Sequence, residues 1–204
     1  MIGMLIIELL CREIELFLLI QNHVIDSKNL VDELNHTTII RDRTINMKSQ
    51  LIIRKASIAD VETVLAIRKE AILSGCKSTY SASQLAKWTN FTVNDVITDM
   101  IVDSFYISEY KNTPVGTGAV DLTSGQIDGV FVLPAHTGNG FARQMLTFLE
   151  MLAKKHGLKR LMLESTLNAV SAYHACGFEG ETQQNYVSPT GVTLRCVPMQ
   201  KDIS

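Results

Sequence analysis

The sequence predicts an α/β (α+β) fold in which a mixed, mostly antiparallel sheet is flanked by helices. Three observations carry that reading. From Ile127 onward the chain reads as a strand, a glycine loop and a long helix. Val130, Phe131, Val132 and Leu133 form an uncharged run, Pro134 stops the ladder, and Phe141, Met145, Phe148 or Leu149, and Leu152 recur at helical spacing down to about His156. A further strand follows over 160–164, and a strand–helix–strand crossover makes those two strands parallel neighbours. Strand pairs joined by short turns over 105–122 and 183–199 supply the antiparallel remainder.

In chain order, residues 1–46 stand apart. Met1 to Ile20 is strongly apolar but interrupted by Glu8, Arg12, Glu13 and Glu15. No run there reaches the ~18 apolar residues of a membrane helix. A basic start and a small-residue cleavage site, the marks of a secretory signal, are also missing. Glu8, Arg12 and Glu15 share one helical face, so an amphipathic helix is one reading. The other is that Met47 is the natural start and 1–46 is an over-extended frame, leaving 47–204 as the domain.

Residues 51–54 form a first strand. Ser57 and Asp60 have capping-box spacing and open a helix carrying Ile58, Val61, Leu65 and Ile72, which Gly75 ends. Ser81 or Ser83 caps a short helix with Leu85 and Trp88, and 93–102 makes another. Strands over 105–108 and 115–122 flank turn residues Asn112-Thr113-Pro114. Ser124-Gly125 turns into the strand that precedes the glycine loop. Gly157 stops the long helix, Asn168 caps a helix running to Cys176, and Ser188-Pro189-Thr190-Gly191 joins the last two strands.

With 204 residues, 46 % apolar and 20 % charged, the chain has the composition of one globular core with an appendage. A formal charge of −2 leaves no basic footprint for nucleic acid. Cys11, Cys76, Cys176 and Cys196 are widely spaced and contain no CxxC pair. The expectation is therefore free thiols in a reducing cytoplasm and no metal site.

The chemistry concentrates at the glycine loop. Gly138 and Gly140 let the backbone turn and leave its amides unshielded, and the following helix points its positive end at the same place. A tight turn alone would also explain the glycines. Dinucleotide binding would use Glu164 at a strand end, but Arg143 occupies the position where a third small residue is needed.

These residues resemble the GNAT acyl-CoA N-acyltransferases. Val130-Phe131-Val132 matches that family's Φ-x-V strand, and Thr137-Gly138-Asn139-Gly140-Phe141-Ala142 its Gln/Arg-x-x-Gly-x-Gly/Ala loop, with Thr137 in the place of Gln or Arg. Asn168-Ala169-Val170-Ser171-Ala172-Tyr173-His174-Ala175-Cys176-Gly177-Phe178 resembles its Asn-Ala-x-x-Phe-Tyr-x-x-x-Gly-Phe. The resemblance runs from Leu51 to about Lys201. It implies a twisted, mostly antiparallel sheet whose central parallel strands splay apart to admit the pantetheine arm. It also implies acetyl-CoA as co-substrate, held by Val130, Phe131, Val132, the residues from Thr137 through Arg143, and Asn168. Asn168 reads equally well as a plain helix cap.

The same resemblance makes Tyr173 the proton donor to the departing thiolate; a helix tyrosine packing its ring is the plain alternative. Where many relatives carry a basic Glu this chain has Gln126, so Asp128, on the same face of a regular strand, is the candidate base. It could equally hold the amine by charge alone. A bulge near Val130 or Phe131 would turn an N–H toward the acetyl carbonyl, and Tyr80 and Trp88 would wall the acceptor side. His136 and His174 read as surface or supporting residues. The expected activity is acetyl transfer to a small-molecule primary amine, with no nucleic-acid or membrane partner and a homodimer allowed. Acetylation of protein amines and non-catalytic CoA or ligand binding are the alternatives.

Overall fold

A computed structural model of the protein describes residues 51–204; the helix considered within 1–20 and the boundary at Met47 fall outside them. β1 (Ile52–Lys55) leads through a 3-10 turn at Ile58–Asp60 into α1 (Val61–Gly75). The Asp60 carboxylate accepts the Ser57 N–H at 2.8 Å and its hydroxyl at 2.6 Å, and it receives both arms of Arg54 at 2.8 Å. Arg54 therefore holds the Asp60 carboxyl well below the usual carboxylate range. The expected box forms, but it opens a 3-10 turn. Ile58 consequently leaves the apolar stripe and is 73 % exposed, while Val61, Val64, Ile67 and Ile72 make the buried face.

In α2 (Ala82–Trp88) the cap is Ser81, whose Oγ accepts the Gln84 N–H at 3.2 Å. α3 (Asp95–Ser104) starts behind Asn94, which accepts the Ile97 N–H at 2.9 Å and sets the start two residues later than expected. β2 (Phe105–Tyr110) and β3 (Thr113–Val120) are joined at Lys111–Asn112, not at Asn112–Pro114. Both turn residues have positive φ (52° and 59°), the geometry that matches the twist of a two-residue hairpin, so Thr113 and Pro114 join the strand. β4 (Ile127–Val132) completes an antiparallel sheet in the order β1-β2-β3-β4.

After a 3-10 turn at Pro134–His136 come α4 (Phe141–Lys155), β5 (Arg160–Thr166), α5 (Val170–His174), β6 (Gln184–Val187) and β7 (Thr193–Asp202). The last three strands form a second antiparallel sheet, β5-β7-β6. β4 and β5 are parallel neighbours only at their entry, where Gln126 bridges Met162 and the Met162 N–H reaches the Gly125 carbonyl at 3.0 Å. Beyond that bridge they part. The reading as simple parallel neighbours is thus corrected to a splayed pair, as the family resemblance implied.

A large apolar cluster spans both sheets. Met145, Leu146, Leu149 and Ala153 of α4 pack on Val120 and Ile127 from one sheet and on Leu161, Leu163, Val197 and Met199 from the other. This common floor holds the two sheets together while their upper edges separate. The helix expected over 168–176 is shorter. Its cap position falls on Ala169, and Asn168 instead donates to the Gly75 carbonyl at 3.2 Å, tying the loop after β5 to the end of α1.

Candidate active site

The glycine loop is built from local bonds. The Thr137 hydroxyl donates to the Pro134 carbonyl at 2.9 Å and the Asn139 amide to the His136 carbonyl at 3.0 Å, so both side chains are used inside the loop. Gly138 and Gly140 have φ near +80°, and no atom lies within 4 Å of where a Cβ would stand on either. Among the described residues, the N–H groups of 138–143 find no protein acceptor. These free donors, at the N-terminus of a 15-residue helix, suit a diphosphate. Arg143 sits alongside, its guanidinium donating to the Ala175 carbonyl at 3.3 Å.

A groove of about 610 Å³ opens beside the loop, lined by Val130, Val132, Thr137, Gly138, Gly140, Ala142, Arg143 and Tyr173 among others. Phe141 also borders it, but it is mostly core, with its ring tilted against Tyr110 at 5.2 Å and stacked on His136 at 6.3 Å. Asn139 and Asn168 do not line this groove. Nor does Phe131, which alternates to the opposite face of β4 and enters the cavities on that side.

Where β4 and β5 separate, a second cavity of about 270 Å³ lies between them. Asp128, Val130 and Phe131 form one wall and Glu164 and Thr166 the other, with Asn168 and Tyr173 at one end and Ile72 and Trp88 also lining it. Tyr173 is common to both cavities. Its ring meets Phe178 edge-on at 5.7 Å, and its hydroxyl has no protein partner among the described residues. No buried polar side-chain atom there is left without a partner, so that hydroxyl is not sealed and opens onto the cleft. Burial of the ring pushes the phenol up to about 12.

Asp128 does not lie on a regular strand. Ala119 faces Gly129 and Val120 faces Ile127, which leaves Asp128 as the extra residue of a β-bulge. The bulge also falls two to three residues earlier than the expected position near Val130 or Phe131. It extrudes the Asp128 carboxylate into the gap between the sheets. The residue keeps solvent contact through the open cleft, yet the surrounding walls strip part of its hydration. Together with repulsion from Asp121 and Glu164, that raises its pKa above the ordinary aspartate value.

Glu164 is a site residue that the sequence reading placed only in the dinucleotide alternative. Leu161, Leu163 and Ser165 of β5 point inward, so Met162, Glu164 and Thr166 face the other way, and the parallel bridge brings Glu164 opposite the bulge. Gln126 donates its amide to Glu164 at 2.7 Å and so orients a carboxylate. Strand alternation combined with the crossover could have found Glu164.

The third cavity, about 190 Å³, continues past Asp128 and Glu164 and is walled by Arg68, Trp88, Phe91, Phe131 and Tyr186. Tyr80 also lines it, but its hydroxyl donates to the Arg195 carbonyl at 2.7 Å and accepts the Leu167 N–H at 3.2 Å, which makes it a staple. Arg68 and Tyr186 carry no motif signal. Neighbouring cavities share lining residues: Tyr173 borders the first two, and Asp128 and Glu164 border the second and third, an order that runs from the glycine loop to the aromatic end. Among the described residues no group of three His, Cys, Asp or Glu side chains could hold a metal ion, and no helix is long and apolar enough to cross a membrane.

Comparison with known proteins bears on this architecture. Residues 76–203 match the family model for an acetyltransferase (GNAT) domain. No curated protein matches the sequence. Among solved structures, a GCN5-related N-acetyltransferase of Rhodopseudomonas palustris is similar at 20 % identity and TM-score 0.70, over 76 % of this chain and 96 % of that one. PaiA N-acetyltransferase of Thermoplasma acidophilum, in complex with coenzyme A, is 19 % identical with TM-score 0.60, over 75 % and 99 %. YncA of Salmonella typhimurium, with its cofactor acetyl-CoA, is 21 % identical with TM-score 0.52, over 76 % and 95 %. At these identities the structural likeness speaks to the fold.

Proposed function

The chain belongs to the GNAT acetyltransferase family, and on that premise we propose that it transfers the acetyl group of acetyl-CoA directly to the primary amine of a small molecule. The observation that carries the proposal is the succession of three cavities with shared lining residues, with a phosphate-type loop at one end, two carboxylates in the middle and an aromatic chamber at the other.

The residues fit acetyl-CoA. The N–H groups of 138–143, without an acceptor among the described residues, the clear space over Gly138 and Gly140 and the charge of Arg143 suit its diphosphate, while Val130 and Val132 offer an apolar strand face for the pantetheine arm. The thioester supplies an activated acetyl group. Asp128, with Glu164 beside it, attracts the acceptor's ammonium and takes a proton from it, directly or through water. The freed amine nitrogen bonds to the acetyl carbon as the carbon–sulfur bond breaks. Tyr173 donates its O–H proton to the sulfur that leaves and is reprotonated by the second proton that the acetylated nitrogen loses, while Asp128 passes the first to solvent. The narrow chamber of about 190 Å³ favours a small acceptor over a folded protein surface.

Calorimetric titration with acetyl-CoA, followed by thiol release across a panel of small amines and lysine-containing peptides, tests this reading. Binding with small-amine turnover supports it. Turnover on peptides alone would reassign the acceptor, and binding without any turnover would make the chain a CoA-binding module.

A further inference from the structure

Arg68 projects from α1 into the acceptor chamber, and the mechanism above gives it no task. Among the described residues, no carboxylate lies within 4 Å of its guanidinium. Its one hydrogen bond there is long, Nη1 to the Trp88 carbonyl at 3.4 Å. Aromatic rings surround the rest: the guanidinium carbon lies 4.4 Å from the centroid of Phe91, 5.6 Å from Phe131 and 5.7 Å from Trp88. These rings stabilise the cation and hold its plane, but they accept none of its in-plane N–H groups. Burial lowers its pKa to about 10, so it stays charged at neutral pH despite the lost hydration.

A partly desolvated cation without a counter-ion is costly, and its N–H groups are not sealed, because no buried polar side-chain atom among the described residues lacks a partner. They open onto the cavity that they line. The exposed Arg195 adds a second positive charge to the same lining, while Asp128 and Glu164 supply negative charge nearer the splayed strands. One chamber thus presents both signs between aromatic walls. An amine alone would use only the carboxylates and leave the Arg68 fork unmet.

We propose that the acceptor is an amino carboxylate, whose ammonium faces Asp128 and Glu164, whose carboxylate is bound by Arg68, and whose apolar body lies against Phe91, Phe131 and Trp88. The amine half of this proposal rests on acetyl transfer as the activity; the anion half rests on Arg68 alone. Bidentate geometry favours a planar carboxylate as the partner.

The test pairs free phenylalanine, methionine and lysine with their amides, which keep the amine and remove the negative charge. In the wild type, kcat/KM for thiol release from acetyl-CoA is expected to favour the free acids by about 10- to 100-fold, the scale of one charge-assisted hydrogen-bond pair. In Arg68→Met the preference should collapse to within about threefold, and Arg68→Lys should restore part of it. The ratio between acid and amide cancels any general loss of activity. In parallel, calorimetry measures binding of the N-acetyl acids and their amides to the protein saturated with CoA. Equal use of acids and amides by the wild type overturns the proposal, as does a preference that survives Arg68→Met. Arg68-dependent binding of the acids without turnover on any amine would instead sink acetyl transfer and leave the anion site standing. Absence of acid-selective binding and turnover together overturns the proposal.

Discussion

Replacing Tyr173 with Phe separates chemistry from packing at one atom. The ring stays edge-on to Phe178, and the deleted hydroxyl has no protein hydrogen bond among the described residues to lose. The folding cost should therefore stay within about 0.5 kcal/mol, a shift of a few degrees or less in Tm. The catalytic cost follows from the phenol's acidity. General acids contribute ~10²–10⁴-fold, or about 2.7–5.4 kcal/mol. With its pKa pushed up to about 12, Tyr173 holds its proton more tightly than a thiol of pKa ~8.5 would. Complete transfer to the sulfur is then uphill, and the hydroxyl acts by hydrogen-bond donation as charge develops. The expected loss sits at the lower end, ~10²-fold, with kcat and kcat/KM falling together. Thiol release at saturating acetyl-CoA measures it, with the acetyl-CoA dissociation constant taken separately by calorimetry. Wild-type turnover in the variant would refute the role. Weakened cofactor affinity with normal kcat would leave Tyr173 a binding residue.

Asp128→Asn should lower kcat/KM and make the remaining activity climb toward high pH, where the free amine supplies itself. A rise in acceptor KM at constant kcat would mean that Asp128 only positions the amine. Stability gives an independent check, because a carboxyl with a raised folded-state pKa favours folding in its protonated form, and that contribution is lost as pH rises through the raised value. The Asn variant should thus unfold at a temperature no lower than the wild type at pH 7, with any advantage vanishing on acidification below the ordinary aspartate range. Gly140→Val meets no neighbouring atom but must hold a β-branched residue at φ +76°, a strain of about 1–3 kcal/mol. Acetyl-CoA affinity should fall at least tenfold in a protein that still unfolds cooperatively, and unchanged calorimetric affinity would remove the phosphate-loop assignment. We propose Met47 as the domain boundary. A chain begun there should express solubly and bind acetyl-CoA as the full chain does, whereas a large drop in Tm or yield would make residues 1–46 structural.

Signals that act over a few residues were legible in the sequence. The glycine pair before α4, the stop at Gly157 and the Ser81 cap each depend on φ preference or on a side chain reaching a backbone amide three positions away. The two glycine signals operate in the structure where the sequence places them, and of the two serines that could cap α2 the structure uses Ser81. Even at this range competition shifted details: the hairpin twist selected Lys111–Asn112 over the proline turn, and the Gly75 carbonyl drew Asn168 away from capping. The strand–loop–helix core and the second motif together sufficed for the family and the fold class.

The acceptor side was decided by tertiary structure. The register of β3 against β4 makes Asp128 a bulge residue, and the single bridge between β4 and β5 brings Glu164 across from it. Arg68 becomes a partly buried cation with no ion-pair partner among the described residues because Phe91 and Phe131, distant in sequence, close on it. No local pattern encodes such encounters. They arise from pairing register and sheet divergence, where a shift of one residue would turn each of these side chains to the opposite face.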